Sequence, residues 1–142
     1  MSASESEGLP LPDAAAYPAD RNDKHATYEA LSISLETVME NFRKYGLLDD
    51  QVRFLKGWFK DTLHLADIDQ LAILRLDGDM YQSTMEAFEA LYPKLSPGGY
   101  LIVDDIGAVP ACRQAVIDFR ERMGIVDEMI QIDWSGYYWQ KT

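Results

Sequence analysis

The chain has 142 residues, a length that suits one domain, and 47% of them are hydrophobic, enough for a buried core. Its 24 acidic and 13 basic residues give a net charge of -11, which argues against nonspecific binding to nucleic acid or to an anionic membrane. The one cysteine, Cys112, rules out an internal disulfide framework or a multi-cysteine zinc site and favours a reducing, cytoplasmic setting; no apolar run reaches the roughly 18–20 residues of a membrane span.

Residues 1–26 are rich in Ser, Pro, Asp and Ala, and Pro10, Pro12 and Pro18 interrupt any regular pattern. They are expected to form a loop or disordered arm, followed by one domain over 27–142. From Ser34 onward, Leu35, Val38, Met39, Phe42 and Tyr45 recur at helical spacing, and Gly46 supplies a stop. A short strand is expected over 52–55, then a loop or short helix over 58–65.

The run LAILRL over 71–76 reads as a strand covered on both faces, ending in Asp77-Gly78-Asp79. Ser83-Thr84-Met85-Glu86 is a capping-box pattern ahead of a helix whose face is Met85, Phe88, Leu91 and Tyr92. A turn over 96–99 leads into a strand over 100–103 that ends in Asp104-Asp105. Pro110 suits the first position of a helix with Cys112, Ala115, Val116, Phe119 and Met123 as its stripe and Gly124 as its end. Residues 129–132 and 137–140 flank Asp133-Trp134-Ser135-Gly136 as a hairpin. Strands alternating with helices predict an α/β fold, mostly parallel, with a C-terminal antiparallel hairpin.

In such sheets ligands bind beyond the carboxyl ends of the strands. If the strands ending at Leu76 and Val103 are neighbours, their ends lie about 5 Å apart, and Asp77, Asp79, Asp104 and Asp105 crowd one crevice. Crowded carboxylates call for a proton or a cation, and oxygen-only ligands suit a hard ion such as Mg2+. The competing reading is that these aspartates cap helices or solvate strand ends, with Asp79 the readiest case. Trp58 and Phe59, with Lys60, could reach the same edge and stack on an adenine ring, or could simply pack. His25 and His64 read as surface histidines, and Tyr137, Tyr138 and Trp139 as hairpin packing.

The stretches NFRKYGLLDD, VRFLKGWFKDTL, LAILRLDGDMYQSTMEAFEALYPKLSPGGYLIVDD and QIDWSGYYWQK, with EGLPLPD near the start, together resemble the macrocin O-methyltransferase (TylF-type) family. The resemblance implies an incomplete Rossmann-like class I methyltransferase sheet. It also implies S-adenosylmethionine and Mg2+ as cofactors and a glycosylated small-molecule acceptor, methylated on a sugar hydroxyl in antibiotic biosynthesis. By the same resemblance Asp77, Asp104 and Asp105 are the metal ligands, and Gly57, Trp58, Phe59 and Lys60 lie near the cofactor adenine; as a carboxylate beside the acceptor, Asp77 could also serve as the catalytic base. The family's opening strand–helix–strand unit with its Gly-rich turn has no counterpart upstream of Glu7, and Ser4 and Glu5 stand where the ribose-binding acid is expected. A truncated chain, weak cofactor binding by it alone and a homo-oligomer are the corresponding expectations. A non-catalytic, partner-binding protein of the same fold is the alternative, and a receiver-like phosphoryl-transfer module a weaker one.

Overall fold

The computed structural model describes residues 13–142; Ser4, Glu5 and most of the EGLPLPD motif lie outside the described residues. After two short 3-10 turns at Pro18–Asp20 and His25–Thr27 and a third at Glu29–Leu31, helix α1 spans Leu35–Lys44. Ser34 caps it by accepting a hydrogen bond from the Thr37 amide, and Gly46 follows with φ +68°, the left-handed conformation that glycine adopts without penalty. The short helix α2 (Phe59–Thr62) leads through a 3-10 turn to strand β1 (Leu71–Leu76), helix α3 (Tyr81–Leu91), strand β2 (Leu95–Val103) and helix α4 (Pro110–Met123). Strands β3 (Ile130–Gln131) and β4 (Tyr137–Gln140) close the chain as the expected hairpin. The Asp133 carboxylate accepts the Ser135 and Gly136 amides in its loop, at 2.9 and 2.7 Å.

The sheet order is β1-β2-β4-β3. β1 and β2 run parallel, and the two pairings that involve β4 are antiparallel. This is the expected α/β class, a parallel start completed by an antiparallel hairpin. No strand forms over 52–55: Val52 closes a turn on Asp49, and Phe54 packs edge-on against Phe42 with centroids 5.4 Å apart. Among the described residues no strand lies alongside to complete a ladder, and extended backbone without a partner is no sheet. The expected turn over 96–99 is a bulge inside β2. The register jumps from Leu71↔Leu95 to Ile73↔Tyr100, so two steps along β1 match five along β2, and Gly98 takes φ +77° in the excess.

Helices α3 and α4 pack on one face of the sheet. Phe88 is fully buried, stacked on Phe119 with ring centroids 4.3 Å apart and 6.2 Å from Trp139. Leu74, Leu76, Leu101 and Val103 complete that face. Burying one such side chain stabilises the fold by about 1.5–3 kcal/mol. The expectation that LAILRL is covered on both faces does not hold among the described residues. Ile73 and Tyr100 are exposed and Arg75 half-exposed, on the face that α3 and α4 leave open. Met123, assigned to the stripe of α4, is also exposed.

Candidate active site

The register explains how the acids meet. Leu76 pairs with Val103, and the Asp104 amide donates to the Leu76 carbonyl at 3.0 Å, so both strands finish side by side. Asp77, Asp104 and Asp105 each place a carboxylate oxygen within 4.8 Å of the others. Arg75, one residue before the end of β1, spans two of them, at 2.9 Å from Asp77 and 2.8 Å from Asp104. One Asp105 oxygen is buried with no hydrogen-bond partner. Burial, together with the charges of Asp79, Asp77 and Asp104, pushes the Asp105 carboxyl up to about 6. An orphaned carboxylate oxygen in an all-oxygen cluster fits a hard divalent cation, because a cation reverses the repulsion that raises that pKa.

Beside this cluster lies an open cleft of about 1060 Å3. Its lining includes Gly57, Trp58, Phe59 and Lys60, together with Asp77, Gly78 and Asp79. The four residues expected near the adenine thus line the same cleft as Asp77, whereas Asp104 and Asp105 are not among its lining residues. Gly57 has φ +141°, and a Cβ there would clash with the Thr62 methyl. Only glycine lets the chain turn into α2 so tightly, and that turn presents Trp58 and Phe59 to the cleft. Two aromatic faces and a cation beside a hard-cation cluster fit a purine-bearing cofactor.

Asp79 has φ +56°, uncommon for a residue with a side chain and tolerated best by Asp and Asn. It is half-buried and lines the cleft rather than capping α3. Burial raises its pKa, partly offset by His25 and reinforced by Asp77 and Asp23. The capping box at Ser83–Glu86 is not used: α3 begins earlier, at Tyr81, and its first turn is capped from afar. The buried Asp20 carboxylate accepts the Tyr81 amide at 2.7 Å and the Gln82 amide at 2.8 Å. Desolvation raises the Asp20 pKa, and those two amides oppose it.

Two groups that sequence reasoning passed over therefore belong to this region. Asp20 pins the N-terminal segment across the start of α3. His25 lines the cleft, bound through Nδ1 to Asp23 at 2.7 Å. The usable sequence signal was the Asp-x-His spacing of Asp23 and His25, in which a carboxylate reaches an amide and a ring two residues on. Nothing local marks Asp20, whose partners lie 61 and 62 residues away. No helix among the described residues is long and apolar enough to cross a membrane.

Residues 2–141 match the family model described as macrocin-O-methyltransferase (TylF). Among curated relatives, demethyldecarbamoylnovobiocin O-methyltransferase of Streptomyces niveus is 51% identical over 137 residues, covering 96% of this chain and 52% of that protein. Mycinamicin III 3''-O-methyltransferase of Micromonospora griseorubida is 53% identical over 120 residues, 83% of this chain and 47% of that protein. A Streptomyces olivaceus 4'-O-methyltransferase that acts on a rhamnosyl tetracenomycin is 52% identical over 137 residues, with 96% and 52% coverage. The solved structure of the O-methyltransferase NovP superposes with a TM-score of 0.90 at 51% identity, covering 95% of this chain and 56% of that one. A calicheamicin methyltransferase (TM-score 0.67, 18% identity, 94% of this chain and 56% of that one) shares the fold. The chain spans about half the length of the curated relatives it matches. By its sequence and its fold, this chain belongs to the macrocin O-methyltransferase (TylF) family.

Proposed function

We propose that this chain takes part in transferring a methyl group from S-adenosylmethionine to a sugar hydroxyl of a glycosylated natural product, with Mg2+ held by Asp77, Asp104 and Asp105. The observation that carries the reading is the convergence of these three carboxylates within 4.8 Å at the carboxyl ends of two parallel strands, beside an aromatic-walled cleft. The cation would bind and orient the acceptor oxygen and make its hydroxyl more acidic. Arg75 must give up at least part of its hold on Asp77 and Asp104 to admit an ion between them. Trp58, Phe59 and Lys60 would hold the adenosine end, with Gly57 setting their approach. The sulfonium of the bound cofactor supplies the methyl group. Holding the two reactants side by side in the cleft would remove much of the entropic barrier.

The acceptors to try are those of the relatives: demethyldecarbamoylnovobiocin, mycinamicin III and the rhamnosyl tetracenomycin. Calorimetric titration of the chain with S-adenosylmethionine in the presence of Mg2+, followed by assay of the three acceptors for S-adenosylhomocysteine release, tests the reading. Cofactor binding with methylation of a sugar hydroxyl is expected. A Mn2+ soak whose anomalous density lies away from Asp77, Asp104 and Asp105 would remove the metal assignment. A chain that binds the ion but never the cofactor would favour the non-catalytic, partner-binding alternative.

A further inference from the structure

We infer that Arg75 is a built-in stand-in for the divalent cation: its guanidinium ties the strand-end acids together in the metal-free protein and competes with the ion for them. The inference rests on the metal-binding part of the reading above.

The geometry is that of a bridge between two strands. Nη1 of Arg75 lies 2.9 Å from Oδ2 of Asp77, and Nη2 lies 2.8 Å from Oδ2 of Asp104. One planar fork thus joins the end of β1 to the end of β2, the connection that an ion held by both acids would otherwise make. Asp77, Asp104 and Asp105 each bring an oxygen within 4.8 Å of the others, so the fork engages two of the three acids in the cluster. Asp105 is left out of it, and one Asp105 oxygen is buried without a partner. A single positive charge serves two carboxylates and leaves the third unserved. A doubly charged ion offsets more of the crowding and can reach all three, which gives the exchange its direction.

A guanidinium stays protonated in proteins. Arg75 therefore cannot step aside by losing its proton, as a lysine could; it must move, or stay and repel the incoming ion. The fold leaves it room to move. Its side chain is 51% exposed and lies on the sheet face that α3 and α4 leave open. There it stands in a row with Ile102 and Tyr138 across β1, β2 and β4. Arg75 takes no part in the hydrophobic core, so swinging outward breaks no packing beneath the sheet. The acids stay clustered in either state, held by the arginine or by the ion.

The test is Mn2+ binding to the full chain, followed by the ion's paramagnetic resonance signal at fixed pH and salt. Arg75→Met keeps a long side chain on the open face and removes the fork. Its Kd for Mn2+ is expected to tighten by about 10-fold or more, which repulsion between a guanidinium and a nearby divalent ion is worth even in a water-like dielectric. Arg75→Lys, a point charge able to reach one acid at a time, should fall between. Arg43→Met makes the same charge change on α1, where the arginine pairs with Glu40, and should leave Kd unmoved. Without metal, Arg75→Met should melt below the wild type, and saturating Mg2+ should raise its Tm by more than it raises the wild type's. An unchanged or weaker Kd in Arg75→Met, or an equal tightening in Arg43→Met, overturns the inference and leaves the metal site standing. Should Arg75→Met not fold, 15N-arginine spectra of the wild type decide. The Arg75 Nε signal is expected to shift as Mg2+ saturates the site; a signal unmoved at saturation defeats the exchange. Mn2+ binding in neither the wild type nor Arg75→Met sinks the metal reading itself.

Discussion

Helices α1 and α3 are built on opposite logics. α1 carries its own instructions: a strongly amphipathic pattern, a serine cap at Ser34, basic residues in its last turn and a glycine stop. Yet none of its residues is buried, and Tyr45 and Leu47 just beyond it are exposed. α3 is less amphipathic and no side chain at its own N-cap position caps it, but Thr84, Met85, Ala87, Phe88 and Leu91 are buried. Local signals locate a helix; they do not say how much of the fold depends on it. α3 is held by tertiary contacts at both its face and its end, so the two helices should respond very differently to mutation.

The largest effect is expected from Phe88→Ala. It removes a ring stacked on Phe119 and lying over Trp139, at a cost of about 3–5 kcal/mol. Chemical denaturation should show a lower midpoint for the whole core. Next comes Asp20→Ala, which strips the acceptor from the Tyr81 and Gln82 amides and should cost about 1–2 kcal/mol. Hydrogen exchange should quicken at the start of α3 and in the segment around Asp20 together, although the two lie far apart in sequence. Independent changes in the two segments would break the assignment of Asp20 as the cap.

Asp105→Asn probes the acidic cluster at the strand ends. The folded-state pKa of about 6 is raised from 3.8, so this group's contribution to stability is present below 3.8 and is lost as pH rises through about 6. Metal-free wild type should therefore lose stability relative to Asp105→Asn between those values, and Mg2+ should restore it in the wild type alone. Parallel pH curves for the two proteins would remove the strained carboxylate. The smallest effect is expected from Ser34→Ala, about 1 kcal/mol or less, confined to α1. Exchange should speed up in α1 while protection around Phe88 is unchanged; a core-wide loss would erase the contrast between the helices.

Much of the architecture was legible because its determinants are local. Pro110 and Gly124 bracket α4 as read, with Gly124 at φ +65°. The hairpin loop is set by one aspartate and a glycine. The convergence of Asp77 with Asp104 and Asp105 followed from the rule that parallel neighbours end together. Val52 and Phe54 misled because a strand depends on a partner that no single segment encodes. The 96–99 segment misled because its turn-forming residues serve equally well as a bulge. His25 was passed over since a histidine in a polar stretch gives no sign of the cleft it lines.

By itself the sequence determined where α1 and α4 begin and end, which residues are apolar enough for the core, and that acids follow two strands. Only the tertiary structure decided that Arg75 spans two of those acids, that one Asp105 oxygen is buried without a partner, that Asp20 caps a helix 61 residues away, and that His25 lines the same cleft as Trp58. The reason is the range of the forces involved. Hydrogen bonds and turn preferences act over a few residues and can be read in order, whereas desolvation and charge crowding depend on which surfaces the folded chain brings together.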